Sequence, residues 1–327
     1  MAVKTLIEAV REAMAEEMRR DPRVIVFGED VEEGGVFRAT EGFVQEFGRE
    51  RCFDTPLAES AIVGVAIGAS LNGLLPIAEI QFADFIWPAV DQIINEAARI
   101  RWRSNGAWGC PIVVRAPYGA GIRGGPYHSQ SVESVFAHVP GLKVVCVASP
   151  YDAKGLLKAA IRDPDPVLFF EHKRAYRLVR EEVPEDDYVL PLGQAAVKRE
   201  GKDITLVSYG MMAQHALKAA ERAAEEDGIQ VEVIDLRTLR PLDSETVLAS
   251  VRKTGKALVA YEDNLFGGYG AEIAALIAEE AFDYLDGPVT RLAAPDVPIS
   301  PFSPALEDAI LPGEENVLEA IRRLAAY

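Results

Sequence analysis

Five short apolar runs in the first half of the chain, each separated from the next by a helix-like stretch, restrict its fold more than any other feature. They are RVIVFGED (23–30), LLPIAEIQF (74–82), PIVVRAP (111–117), LKVVCVAS (142–149) and VLFFEHK (167–173). Strands this continuously apolar are covered on both faces, as in parallel sheets joined by helical crossovers. Residues 5–19 agree, with Leu6, Val10, Ala13 and Met14 on one helical face. TEGFVQEFG reads as a short helix stopped by Gly48, and CFD as a short strand. A helix of small residues starts near Ala58, its alanines and glycines suited to close packing against another element. The pattern predicts further helices over WPAVDQIINEAARIRWRS (87–104) and from PYDAKGLLKAAIRD, which has proline and an acid in its first turn.

The segment VREEVPEDDYVLPLG (179–193) is polar and proline-bearing, and reads as a linker. Beyond it DITLVSYG, IQVEVIDL, KALVAYED and VTRLAAPD are strand expectations, with helices at HALKAAERAAEEDG and AEIAALIAEEAF and a docking helix at VLEAIRRLAAY. A chain of 327 residues exceeds the usual span of one domain. The reading is two α/β domains, 1–185 with a parallel sheet and a smaller one over 186–327.

A formal net charge of -17 without a basic tract argues against a nucleic-acid partner, because phosphate binding needs clustered Lys and Arg. Cys52, Cys110 and Cys146 are odd in number, and no CxxC occurs. Neither a disulfide framework nor a zinc cluster is expected. The opening MAVKTLIEAVREAM is an amphipathic helix rather than a signal peptide. No apolar run reaches the ~18 residues of a membrane span, so the expected setting is the cytoplasm, with no membrane partner.

Ordinary cofactor motifs are missing. GGVFRATEG lacks the dinucleotide pattern, and LFGGYGAE (265–272) has neither the GxGxxG spacing nor a phosphate-loop lysine. Its first reading is a plain helix entry, with an anion-binding turn as the alternative. There is no GxSxG elbow, and the sequence shows no base or acid partner for Ser129. Glu59 opens an otherwise apolar helix, TPLAESAIVGVAIGAS. It is either a first-turn acid gaining from the helix dipole or, if buried, a proton partner for a heteroaromatic ligand. Phe82, Phe85 and Trp87 cluster after a strand, where ligands collect in parallel sheets, although by composition they suit a core better. His128, one of four histidines, lies in RGGPYHSQS (123–131). It is either a reaction-centre group or a satisfied loop histidine.

Taken together, FGEDVEEGGVFRATEG, DTPLAESAIVG, AEIQFADFIWPAVDQI, YHSQS, PYDAKGLLKAAIRDPDPVLFFEHK and IDLRTLRPLD closely resemble the beta subunit of the thiamin-diphosphate-dependent E1 component of 2-oxo-acid dehydrogenase complexes. The resemblance covers nearly the whole chain. It implies a transketolase-like pyrimidine-binding domain followed by a transketolase C-terminal domain. It also implies an alpha2beta2 heterotetramer in which the alpha subunit holds the diphosphate and its magnesium. The absence of GDG from this chain agrees with a beta subunit. By the same resemblance Glu59 bonds N1′ of the aminopyrimidine, Phe85 packs on the ring, and Gln81 and Phe82 lie beside it.

His128 matches the family's active-site histidine, reached by a loop with Gly121, Gly124 and Gly125, and imidazole suits proton transfer near neutral pH. The implied reaction is oxidative decarboxylation of a small 2-oxo acid with reductive acyl transfer to a lipoylated E2 core. QFADFIWP and YHSQS resemble the branched-chain branch, with pyruvate and acetoin dehydrogenase subunits as alternatives. AAIRDPDP resembles a potassium loop, with carbonyls near Ile112, Ala160 and Asp163 and the side chain of Asp165 as ligands. Outside this reading stand a self-sufficient transketolase-like enzyme and a noncatalytic assembly protein of the same fold.

Overall fold

The structure, a computed structural model, describes residues 2–298 and 300–327. By contacts the chain divides into two compact units, one of residues 1–118 and 135–192, the other of 119–134 and 193–327. Both are α/β.

In the first unit, β1 (Ala2–Thr5) runs into the Leu6–Arg20 helix through a capping box. The Thr5 N–H donates to the Glu8 carboxylate at 2.8 Å, and the Glu8 N–H donates back to Thr5 Oγ1. The expected apolar face is in place, with Leu6, Val10, Ala13 and Met14 fully buried.

The main sheet of this unit contains β2 (Val24–Gly28), β3 (Cys52–Asp54), β4 (Leu75–Glu79), β5 (Val113–Tyr118), β6 (Lys143–Val147) and β7 (Val167–His172). They lie in the order β6-β7-β5-β4-β2-β3, every neighbouring pair parallel. Every residue of β5 and β7 is buried, as the continuous apolar runs require. The Leu6–Arg20 helix packs on the Pro150–Ile161 helix. Lys154 Nζ lies 2.8 Å from Glu16, Lys158 Nζ 2.5 Å from the same carboxylate, and Arg162 reaches Glu17 at 2.5 Å.

Two expectations change here. The linker read from 179 onward begins with a strand, β8 (Arg180–Val183), antiparallel to β1. Val183 is buried, and Glu181 accepts the Tyr151 N–H, so this stretch is tied down. The helix expected over 87–104 is instead a succession of short turns. It is 3₁₀ at Trp87–Ala89, π at Gln92–Glu96, 3₁₀ at Ala97–Arg99 and α at Ile100–Arg103. The apolar face survives, with Ala89, Ile93, Ala97 and Ile100 buried.

The second unit contains β9 (Ala196–Arg199), β10 (Ile204–Ser208), β11 (Val231–Asp235), the short β12 (Thr238–Arg240), β13 (Ala257–Asn264) and β14 (Thr290–Ala294). Its sheet runs β14-β13-β10-β11-β9, parallel except for the edge strand β9. The Met211–Asp227 helix lays Ala216, Ala219, Ala220 and Ala223 on this sheet and ends at Gly228, whose φ is 73°. Val317, Leu318, Ile321 and Leu324 of the Glu314–Ala325 helix complete that core. The segment 119–134, carrying His128, clusters with this second unit although it falls inside the stretch read from sequence as the first domain. Among the described residues, no helix is long and apolar enough to cross a membrane.

Candidate functional site

Three neighbouring strands of the first unit, β3, β2 and β4, deliver their C-terminal ends together, with Gly28 level with both Asp54 and Glu79. Each end leads into a residue singled out by its chemistry. After β2 come Glu29 and Asp30, after β3 the Glu59–Leu71 helix, and after β4 Gln81, Phe82 and Phe85. The approach of β2 to β4 demands glycine at position 28, where a Cβ would stand 2.5 Å from the Glu79 carbonyl oxygen. Gly35 (φ 70°) passes close to the Glu79 carboxylate, 2.9 Å from an added Cβ.

Glu59 is the first residue of its helix and is buried, and Ala58 supplies no side-chain cap. Gln81 Nε2 donates to Asp30 Oδ2 at 2.9 Å. Phe82 is buried against Phe37 and Phe85, at centroid distances of 5.3 and 5.5 Å, with Lys173 Nζ 5.3 Å from its ring centre. Phe85 is half-buried and presents part of its ring. Trp87 is exposed.

Glu29 is the residue that sequence reasoning passed over, seen there only as an acid at the end of a strand. Its side chain is buried and its Oε1 has no hydrogen-bond partner. Burial first, then the charges of Glu59, Asp30 and Glu79, push its carboxyl up to about 7. A GED triplet closing a parallel strand was the available signal, since such ends line ligand crevices.

Behind these strand ends lies a buried ion cluster. The Arg115 guanidinium donates to Glu171 at 2.6 and 2.7 Å and to Glu79 at 2.6 Å, and Tyr176 Oη donates to Glu171 at 2.7 Å. Burial opposes the charge on Arg115, and the two carboxylates override it, so its pKa is raised. The cluster ties β4, β5 and β7 together just behind Gln81 and Phe82.

His128 is half-buried in the 119–134 loop of the second unit. Glu262 Oε1 accepts the Ala120 N–H at 2.6 Å and the Ser131 hydroxyl at 3.3 Å, and Asp263 accepts the Ser134 hydroxyl at 2.6 Å. Glu133 accepts the Tyr209 hydroxyl at 2.9 Å. Burial, reinforced by Asp263, raises the Glu133 carboxyl well above its ordinary value. The structure thus brings Glu59, Gln81, Phe82 and Phe85 together in one unit and places His128 on a loop of the other.

The residues given to potassium have partners of their own. The Ile112 carbonyl accepts the Val167 N–H, and the Ala160 carbonyl accepts the Asp163 N–H. Lys143 Nζ lies 2.5 and 2.6 Å from the Asp163 carboxylate oxygens, and Arg101 Nε donates to Asp165 at 2.5 Å. Of these ligands, the Asp165 side chain is therefore the one already paired with a cation. Among the described residues, no group of three or more His, Cys, Asp or Glu side chains is placed to hold a metal ion.

Residues 3–179 match the family described as "Transketolase, pyrimidine binding domain", and residues 193–317 that described as "Transketolase, C-terminal domain". The chain is 58% identical to a 2-oxoisovalerate dehydrogenase subunit beta of Bacillus subtilis, over 100% of both chains. It is 49% identical to a pyruvate dehydrogenase E1 component subunit beta of the same organism, again over 100% of both. Among solved structures, one described as a split gene transketolase, inactive beta4 tetramer, superposes with a TM-score of 0.78 at 26% identity, covering 99% of this chain and 98% of that one.

Proposed function

The chain belongs to the β subunits of thiamine-diphosphate-dependent 2-oxo-acid dehydrogenase E1 components, with the branched-chain type as its nearer likeness, and on that premise we propose the work of its residues. Glu59, with Glu29 behind it, holds the aminopyrimidine of thiamin diphosphate, and Phe85 packs on the ring. The observation that carries this reading is the approach of two buried carboxyl groups, Glu29 just past β2 and Glu59 opening the helix after the neighbouring β3, one of them with an unpartnered oxygen. Such a cradle fits a flat heteroaromatic group bearing exchangeable protons.

When bound, the cofactor would supply the nucleophilic carbon and the electron sink that decarboxylation of a 2-oxo acid needs. This chain supplies orientation and proton control. The Glu59 carboxyl shares a proton with N1′ of the pyrimidine. Glu29, titrating near neutrality, sets the charge that Glu59 meets. Gln81, fixed by Asp30, and Phe82, fixed by Phe37, keep Phe85 in place. His128 serves the later step, giving a proton to the lipoyl dithiolane as the acyl group leaves for E2.

The diphosphate and its magnesium fall to an α subunit, since this chain has no GDG. The Glu59–Leu71 helix supports such a partner. Gly64 and Gly68 are exposed, a Cβ on Gly68 would meet nothing within 4 Å, and Leu57, Val65 and Leu71 stand open beside them. An α2β2 assembly feeding a lipoylated E2 core follows. Its place is the cytoplasm, in keeping with three buried free thiols.

The test is decarboxylation of several 2-oxo acids with thiamin diphosphate, magnesium and an artificial electron acceptor, by the chain alone and co-expressed with its α subunit. Activity in the pair only, greatest with 3-methyl-2-oxobutanoate, is the expected result. Best turnover with pyruvate would correct the substrate, and turnover by the chain alone would overturn the divided site.

A further inference from the structure

We infer that Glu307 is a positioning residue for His128, holding the 119–134 loop by its backbone; the inference rests on the reading of His128 as the active-site histidine. The loop closes at its base, where the Gly119 N–H donates to the Gln130 carbonyl at 2.9 Å, and its second half carries a 3₁₀ turn at Gly125–Tyr127 with Gln130 Nε2 on the Pro126 carbonyl at 2.9 Å. Gly119 (φ 86°), Gly121 (φ 82°), Arg123 (φ 62°) and Gly125 (φ 66°) all lie in the left-handed region, and residues 119–124 form no helix or strand. Glu262 secures the two ends of the loop, through Ala120 and Ser131.

Its middle is secured by Glu307. The Gly121 N–H donates to Glu307 Oε1 at 3.1 Å, the Arg123 N–H to Oε2 at 3.3 Å, and Arg123 Nη1 to the same oxygen at 2.7 Å. Arg123 Nη1 also reaches the Pro304 carbonyl at 3.1 Å, and Nη2 forks onto Asp308 at 2.8 and 3.0 Å.

Two facts separate this arrangement from a surface ion pair. The Glu307 side chain is fully buried, although it belongs to the short and otherwise mostly exposed Pro304–Ile310 helix. Arg123 is a side-chain-bearing residue in a conformation that favours glycine, and such strain persists only where surrounding contacts over-determine it.

The path from the clamp to the histidine is short. Gly125 lies against the Phe302 ring so closely that a Cβ would stand 2.3 Å from it. Gly124 lies against His128 itself, where a Cβ would come within 2.7 Å of the histidine Cβ. A shift of residues 121–125 is therefore passed directly to His128. Chemistry that needs its imidazole at a set place loses about 100-fold in rate for a displacement near 1 Å.

The experiment uses Glu307→Ala and Glu307→Gln in the full chain, alone and paired with the α subunit, beside His128→Ala. The readout independent of activity is tryptic cleavage after Arg123 in native buffer. Cleavage should rise about tenfold or more at near-unchanged Tm, because breaking charge-assisted bonds enlarges the open population. In the pair, kcat for acyl transfer should fall about 10- to 100-fold with little change in KM, and adding Glu307→Ala to His128→Ala should cause no further loss. Unchanged cleavage in a folded variant overturns the clamp. Faster cleavage with wild-type kcat, while His128→Ala is inactive, overturns the positioning role. Faster cleavage with His128→Ala fully active would instead sink the reading of His128 and leave the clamp standing. Failure of both Glu307 variants to fold would make the residue purely structural and end the proposal.

Discussion

Replacing Glu29 by Gln should stabilise the protein at alkaline pH and leave it unchanged at acid pH. The Glu29 carboxyl is pushed from an ordinary 4.5 up to about 7, by burial first and then by Glu59, Asp30 and Glu79. A carboxyl raised in this way keeps its proton in the folded state over a range where the unfolded chain has released it. Folding therefore loses stability as pH climbs from 4.5 to 7 and stays at the lower level above. The rise is worth about 3 kcal/mol, or roughly 6 to 12 °C in the Tm of a domain of this size.

Glutamine fills the same space without the charge, so the Tm difference between variant and wild type should open across that window and level off above it. Calorimetry at half-unit steps between pH 4.5 and 8.5 reads it directly. Glu59→Gln provides the internal control. Removing the second cause of the shift should move the wild-type inflection toward acid pH and shrink the gain from Glu29→Gln. A Tm difference that stays constant from pH 5 to 8 would refute the assignment of a buried, charge-coupled carboxyl at this position.

Arg115→Met leaves Glu79 and Glu171 buried without their cation. It should cost about 3–5 kcal/mol, seen as a large fall in Tm and largely reversed by adding Glu79→Gln and Glu171→Gln. Gly28→Ala drives a Cβ to 2.5 Å from the Glu79 carbonyl oxygen and should lower stability by about 1–3 kcal/mol; an unchanged Tm would show that β2 and β4 are not held so close. Exchange of potassium for tetramethylammonium should leave Tm unchanged, because Arg101 already pairs with the Asp165 carboxylate. A potassium-dependent rise in Tm would support the cation site.

The parallel core of the first unit was legible because its strands are buried on both faces, and burial of that kind writes itself as unbroken apolar runs such as VVRAP and VLFF. Strands that lie at an edge leave a weaker trace. β8 carries Arg180, Glu181 and Glu182 with one buried Val183, and by composition it reads as linker. The stretch 87–104 misled in the opposite way. Its apolar period is genuine, yet periodicity reports only which side chains face inward, and the turns beneath them alternate between 3₁₀, π and α.

The candidate site divides along the same line. Glu59, Gln81, Phe82 and Phe85 follow strands and helices that the sequence pattern already places, so their meeting at strand ends follows from a parallel sheet and the order of its strands. Glu29 escaped because an acid after a strand is unremarkable until its neighbours are known. Its raised pKa depends on Glu59 and Glu79, 30 and 50 residues away along the chain. His128 shows the same dependence at longer range. The glycines around it signal a loop whose first part, residues 119–124, forms no helix or strand. The residue holding the middle of that loop, Glu307, lies 186 and 184 positions from the backbone groups it accepts. What a local pattern cannot encode is the partner of a strained segment. The strain itself, a non-glycine residue with φ of 62° at Arg123, is the structural sign that such a partner is needed.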